Sequence, residues 1–326
     1  MQETERTEKR NITIDLLRVI GLFLVIAAHC EFPEWFYEFR EFDVVTLVAV
    51  SGMSFCVSSN KKAESYPEYV KKRFLRLVLP VWEFLIVFFL VFALLGVTFR
   101  FREILESFLL LSGGILFIWV YRIFFVNALL NPFLKQAADR CSIRTSALLL
   151  AGGLIVNEGL FRVSSSLLTG AAGKVFEYVV LYTLGYALVS FAGMLWMKAT
   201  SAERYWLTAE AGILLAASLL LGGIARISET KYPPQLVYLS YGLLMTFVLY
   251  LILQRLPQNE KAGQIITWLS VNTMHIYMWH IFLYYLLKTL SPLVMNHAWP
   301  TYAVLLGGSI VLTFLQENLI SLKRKR

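Results

Sequence analysis

Charge is scarce in this chain. Only 16% of its 326 residues are Asp, Glu, Lys or Arg, against 58% hydrophobic and 15% aromatic residues. Average soluble domains carry about 25% charged and about 45–50% apolar residues. A surface facing water needs more charge than this chain supplies, so a soluble globular fold is excluded, and a disordered chain is excluded by the same figures. Cysteine is sparse and odd in number, three in all, which excludes a secreted domain built on disulfides. A P-loop, a zinc-ligand spacing, a Gly-x-Ser-x-Gly elbow and a dinucleotide fingerprint are all missing. Internal repeats and low-complexity tracts are missing too. An integral membrane protein remains, and a mean hydropathy of +0.63 agrees.

A helix needs about 20 largely apolar residues to cross about 30 Å of hydrocarbon. Ten stretches qualify: 14–30, 42–58, 77–98, 115–134, 146–162, 175–196, 206–224, 236–254, 267–287 and 301–320. A weaker apolar patch at 104–112 runs into Gly113 and Gly114 and reads as a lip or half-helix. The first stretch contains Asp15 and Arg18 and lacks a small-x-small cleavage site, so it reads as a span and not as a signal peptide. The expectation is an all-α integral membrane protein: a bundle of about ten transmembrane helices forming one domain over 1–326, with tails at 1–13 and 321–326.

The basic residues orient this bundle. With the N-terminus in the cytoplasm, 20 lysines and arginines fall in inside segments and 8 in outside segments, while Arg18 and Arg122 lie within spans. That bias predicts cytoplasmic N- and C-termini, and an even number of spans gives the same result. The first outer loop is acidic, with Glu31, Glu34, Glu38, Glu41 and Asp43. The net charge of +8 is therefore a topology signal, and nucleic acid is not an expected partner.

A charge inside a span costs at least about 2.5–3.5 kcal/mol on insertion scales, so each one calls for a reason. Asp15 and Arg18, three apart in the first span, share a helical face and can pair. On a continuous helix Arg18 and His29 point the same way and stand about 16 Å apart along the axis. An ordinary anchor, with Asp15 and Arg18 snorkelling and His29 at the interface, is one account; three titratable groups on one span argue for a polar stripe with a task. In the ninth span His275 and His280, about 140° apart around a helix, face different neighbours. His280 has Tyr277 and Tyr284 on its own face, at a depth that lets it meet His29. Histidine is the natural general base near neutral pH.

Other polar residues have a cavity or a structural pairing as open readings: Glu83, Arg122, Asn157, Glu158 and Glu317. Cys30 beside His29 makes a poor dyad, because adjacent helical residues diverge by about 100°. Cys56 and Cys141 read as reduced thiols near the cytoplasmic side, and no metal is expected. The inner loop at 59–76 is the most basic segment, with Lys61, Lys62, Lys71, Lys72, Arg73 and Arg76. Arg73 and Arg76, three apart, suit a phosphate clamp, and they equally suit a charge that only sets topology.

Four motifs in order resemble the acyltransferase type 3 family of integral-membrane O-acyltransferases over nearly the whole chain. They are Ile14-Asp15-Leu16-Leu17-Arg18 with His29 eleven residues on; Arg40-Glu41-Phe42-Asp43-Val44 with Val50-Ser51-Gly52; Lys72-Arg73-Phe74-Leu75-Arg76-Leu77 with Leu79-Pro80; and Asn272-Thr273 through Tyr277-Met278-Trp279-His280. Phe117-Ile118-Trp119-Val120-Tyr121 departs from the tryptophan–phenylalanine pair that the family often has, and the resemblance assigns no role to His275. The resemblance implies transfer of an acyl group, usually acetyl, from acyl-CoA to a hydroxyl of a cell-envelope carbohydrate, as in bacterial capsular or exopolysaccharide O-acetyltransferases. The partners it implies are acyl-CoA as co-substrate, an envelope polysaccharide or lipid-linked sugar as acceptor, and the plasma-membrane bilayer; no bound cofactor is implied. Arg18, Lys72, Arg73 and Arg76 would hold the CoA phosphates, and Asp15 would hold Arg18. His29 would act as general base or form an acyl-histidine, with His280, Tyr277 or Trp119 as oxyanion donors and Trp119 and Tyr277 beside the substrate. The rival from another class is a polytopic transporter of lipid-linked sugars or small solutes. Against it stands the lack of an internal repeat or of paired Gly/Pro-broken spans.

Overall fold

The computed structural model describes residues 10–58, 65–223, 226–257 and 259–324. Arg6, Lys9, Lys61, Lys62, Lys325 and Arg326, counted above as inside charges, lie outside the described residues. In chain order the helices are α1 (Ile12–Ala27), α2 (Glu34–Phe39), α3 (Asp43–Ser58), α4 (Tyr66–Leu77), α5 (Leu79–Leu94), α6 (Phe101–Phe108), α7 (Trp119–Arg140), α8 (Ile143–Leu167), α9 (Gly170–Phe176), α10 (Tyr182–Lys198), α11 (Ser201–Gly222), α12 (Leu236–Leu253), α13 (Glu260–Val271), α14 (Thr273–Leu290), α15 (Pro292–Met295) and α16 (Ala298–Arg324). A π-helical turn, Glu177–Leu181, joins α9 to α10, and a short 3-10 turn, Ile227–Thr230, precedes α12. There is no strand among the described residues.

Local chemistry sets several helix starts. The Asn11 side chain accepts from the Thr13 and Ile14 amides at the head of α1, and Asp15 sits in its positive first turn. Ser142 caps α8, Thr200 with Glu203 boxes α11, and Asn259 caps α13. Glu68 accepts from both the amide and the hydroxyl of Ser65 at the head of α4.

Helix α3 is the centre of the bundle. It is buried nearly all round, as expected of a helix that is apolar on every face, and it packs against α1, α7, α10 and α12. The α3–α10 approach is close enough to require glycine. A Cβ on Gly52 would stand 2.0 Å from the Ser190 carbonyl oxygen, and one on Gly193 would stand 2.1 Å from that of Ala49. Small residues on both helices let backbones meet, the usual solution where lipid supplies no hydrophobic drive between helices. The periphery is the inverse. Leu90 and Leu94 on α5, Leu148 on α8, Leu220 on α11 and Val311 on α16 are exposed, an apolar outer belt suited to lipid.

Among the described residues, seven helical segments are long and apolar enough to cross a membrane: Glu34–Ser58, Tyr66–Leu94, Ile143–Leu167, Gly170–Lys198, Ser201–Gly222, Leu236–Leu253 and Ala298–Ser321. The protein is a multi-pass membrane protein. The other three expected spans correspond to α1, α7 and the α13–α14 pair. These three carry Arg18, then Trp119 to Arg122, then His275 and His280, and polar content is what lowers the apolarity of α7 and α14.

Two expected spans differ in detail from uninterrupted helices. The basic loop before the third span is itself a helix, α4, which breaks at Val78 before Pro80 and leads into α5. The ninth span breaks at Asn272, between α13 and α14. One break stands at a proline and the other at an asparagine, so the two are not a matched pair of Gly/Pro-broken spans. The residues flanking both breaks, Leu77 and Pro80, Val271 and Thr273, line a cavity, where irregular backbone is tolerated in a membrane protein. The patch at 104–112 ends as expected, with the short α6 giving way to an irregular segment that runs to Ile118.

Candidate active site

An open cavity of about 860 Å³ lies between α1, α3, α4, α7 and the α13–α14 break. That is near the top of the about 300–1,000 Å³ range of small-molecule pockets. Four arginines line it, Arg10, Arg18, Arg73 and Arg76, against one carboxylate, Asp15. The surplus of guanidinium groups makes its wall cationic, the chemistry suited to phosphate groups.

Asp15 organises the inner wall. It is buried, accepts from Arg10 Nε at 2.5 Å and Nη2 at 2.9 Å, and accepts from the Ser270 hydroxyl at 2.5 Å. Its pairing with Arg18, expected from the three-residue spacing, is present at 3.4 Å. Arg18 donates to Ser270 Oγ at 2.7 Å and to Ser54 Oγ at 2.5 Å. The guanidinium is thus aimed by helices 36 and 252 residues away in sequence, and one face remains for the cavity. Nothing local in the sequence announces Ser54 or Ser270 as partners. Arg10, within the expected tail at 1–13, belongs to this wall.

Arg73 and Arg76 enter from α4, with the Arg73 guanidinium 4.8 Å over the Tyr69 ring. Lys72 points elsewhere: it is exposed and is not among the residues lining the cavity. His275, which the sequence left without a role, is on the cavity wall, as are the buried Tyr121 and Tyr277.

His29 and His280 lie outside this cavity and against each other. Their rings stack with centroids 5.4 Å apart and planes 11° apart. His29 is not on the continuous helix assumed above: α1 ends at Ala27, and the His29 amide reaches back to Ile26 in a tighter turn. The estimate that Arg18 and His29 share one face therefore fails at its last two residues. His280 is fully buried, and neither of its ring nitrogens has a hydrogen-bond partner among the described residues; His29 Nε2 is likewise buried and unpartnered. Orphaned imidazole nitrogens inside a protein are rare enough to suggest a task beyond packing. Tyr277 joins the two compartments. It lines the cavity, its ring stands edge-on to His280 at 4.6 Å, and its hydroxyl donates to the Phe117 carbonyl at 2.9 Å.

The remaining expected residues divide by role. Trp119 is buried against Tyr182 and Tyr232, away from the cavity wall. Arg122 lies over the Tyr178 ring at 4.6 Å. Glu158 holds Arg162 and the Leu236 amide, and Asn157 donates to the Pro234 carbonyl, so this pair is structural. Glu83 is exposed. Cys30 is buried with its thiol on the Ile26 carbonyl.

The Arg40-Glu41-Phe42-Asp43 motif forms an ion ring with a residue the sequence did not suggest. Arg40 pairs with Asp43 at 2.5 Å and Glu41 at 2.7 Å, while Lys231 pairs with Glu41 at 2.6 Å and approaches Asp43 at 3.5 Å. All four are buried. Burial disfavours the Lys231 ammonium, yet Asp43, Tyr232 and Glu41 together raise its pKa above the ordinary lysine value. Among the described residues no His/Cys/Asp/Glu group suits a metal ion.

No curated protein and no solved structure matches this chain. The sequence model of the type 3 acyltransferase domain matches residues 11–316, nearly the whole chain and every residue of both compartments except Arg10. The arginine-lined cavity, the paired histidines and the matched domain thus fall on one stretch of sequence, and the chain belongs to the type 3 family of membrane acyltransferases.

Proposed function

We propose that this protein transfers an acyl group, most simply acetyl, from acyl-CoA to a hydroxyl of a cell-envelope carbohydrate at the plasma membrane. One observation carries the reading: an arginine-lined cavity ends on the same tyrosine that packs against a pair of unpartnered histidines. Arg10, Arg18, Arg73 and Arg76 bind the CoA phosphates at the cytoplasmic mouth, with both termini on that side and ten spans in all. The apolar pantetheine arm then runs toward Tyr121 and Tyr277.

The acceptor hydroxyl attacks the thioester carbonyl while His29 takes its proton. The tetrahedral oxyanion is stabilised by a hydrogen-bond donor; His280, whose buried ring nitrogens have no other partner among the described residues, fills that role. Collapse expels CoA as thiolate, which recovers the proton from His29. Trp119, beside Tyr232, lies on the acceptor's side. The test is incubation of the purified protein in nanodiscs with labelled acetyl-CoA and a membrane-glycan extract. Label moving to carbohydrate in the wild type, and not in His29→Ala, is the expected result. Equal transfer in the two proteins defeats the assignment.

A further inference from the structure

We propose that Phe117 and Tyr277 form a latch that closes the path from the arginine-lined cavity to the histidine pair, and that acyl transfer requires this latch to open. The inference rests on reading the cavity as the acyl-CoA site. The Phe117 ring covers His29, with centroids 3.4 Å apart and planes 27° apart. At that separation the rings are in van der Waals contact, and a thioester cannot lie between them. Phe117 also carries a backbone φ of +70°, a left-handed conformation that bulky residues avoid. Such a conformation persists only where the surroundings hold it, and such places cluster at functional sites.

Helix α14 supplies the hold at three points. Tyr277 donates to the Phe117 carbonyl at 2.9 Å, Tyr285 accepts from the Leu116 amide at 3.1 Å, and Tyr121 donates to the Met274 carbonyl at 3.0 Å. The clamped segment thus lies against the helix that carries His280. Tyr121 and Tyr277, packed edge to face at 5.4 Å, separate the cavity from the histidines by one aromatic layer.

The closed latch protects the donor. With His29 covered, water cannot use it as a base against the thioester, a reaction that would yield the free carboxylic acid and CoA. Opening would accompany arrival of the acceptor, as lids commit other transferases to transfer over hydrolysis. Phe117 is in this sense a positioning residue, not a catalytic one.

Two variants test the latch. Phe117→Gly removes the ring and suits a positive φ. Tyr277→Phe keeps the ring and removes the hydrogen bond. Each is reconstituted in nanodiscs and treated with diethylpyrocarbonate, and carbethoxylation of each histidine is followed by mass spectrometry. Modification of His29 is expected to quicken about three- to tenfold in Tyr277→Phe, the weight of one hydrogen bond, and further in Phe117→Gly. Acetyl-CoA hydrolysis without acceptor is expected to rise in parallel. His29 rates equal to wild type in both variants overturn the latch. So does a rise shared equally by His275 and His297, which would signify a loosened fold. If wild-type protein fails to bind acetyl-CoA, the donor reading falls, while the His29 rates still decide the latch.

Discussion

The imidazoles of His29 and His280 stack almost parallel, 5.4 Å apart, although one follows the first helix and the other sits in α14. With unpartnered nitrogens on both rings, they are expected to act as a unit. His29→Ala should lower acyl transfer by about 10²–10⁴-fold, the usual weight of a general base. His280→Ala should cost a comparable factor, and the double variant little more than either single one, because residues acting together are non-additive. Initial rates of label transfer measure all three, and full additivity would separate the two roles.

Donor binding is expected to depend on the arginines and not on the histidines. Arg18→Ala, Arg73→Ala and Arg76→Ala should each weaken acetyl-CoA affinity, whereas His29→Ala should leave it unchanged. Lysine should replace Arg18 poorly, because one guanidinium reaches Ser54 and Ser270 at once. Calorimetry on purified variants measures this. Unchanged affinity in all three would leave the arginines with orientation alone.

Ser270→Ala tests whether Arg18 must be aimed. The variant removes the hydroxyl that accepts from Arg18 and donates to Asp15, but it removes no charge. The expected result is weaker acetyl-CoA binding, with a smaller loss than in Arg18→Ala. Wild-type affinity in Ser270→Ala would show that the Asp15 and Ser54 contacts suffice.

The buried ion ring of Arg40, Glu41, Asp43 and Lys231 should be structural. Lys231→Met leaves Glu41 without its closest cation and should cost about 3–5 kcal/mol of stability, as for other broken buried pairs. Pairing it with Glu41→Met should recover much of that, since an apolar pair leaves no orphan charge. Thermal midpoints in detergent compare the two, and a double variant less stable than Lys231→Met would contradict the account.

Orientation is open to a direct measurement. Cysteines placed at the exposed positions 31 and 35, just before and within α2, should react with an impermeant maleimide applied to intact cells. Reaction only after the membrane is opened would invert the topology.

Membrane class and most residues of the candidate site are legible in one dimension, for a physical reason. Hydrocarbon thickness demands long apolar runs, and an intramembrane Asp15, Arg18 or His280 stands out against them because its burial is costly. The Asp15–Arg18 pair was readable because it is local, one helical turn. The tertiary structure decided what had no local signature. The break at Asn272 carries no proline or glycine to announce it, unlike the one at Val78 before Pro80. Ser54 and Ser270 aim Arg18 from distant helices, and Lys231 closes a ring with a motif 190 residues earlier. His29 leaves the helical face that periodicity assigned it, because α1 ends at Ala27; only the folded bundle then brings it under Phe117 and against His280.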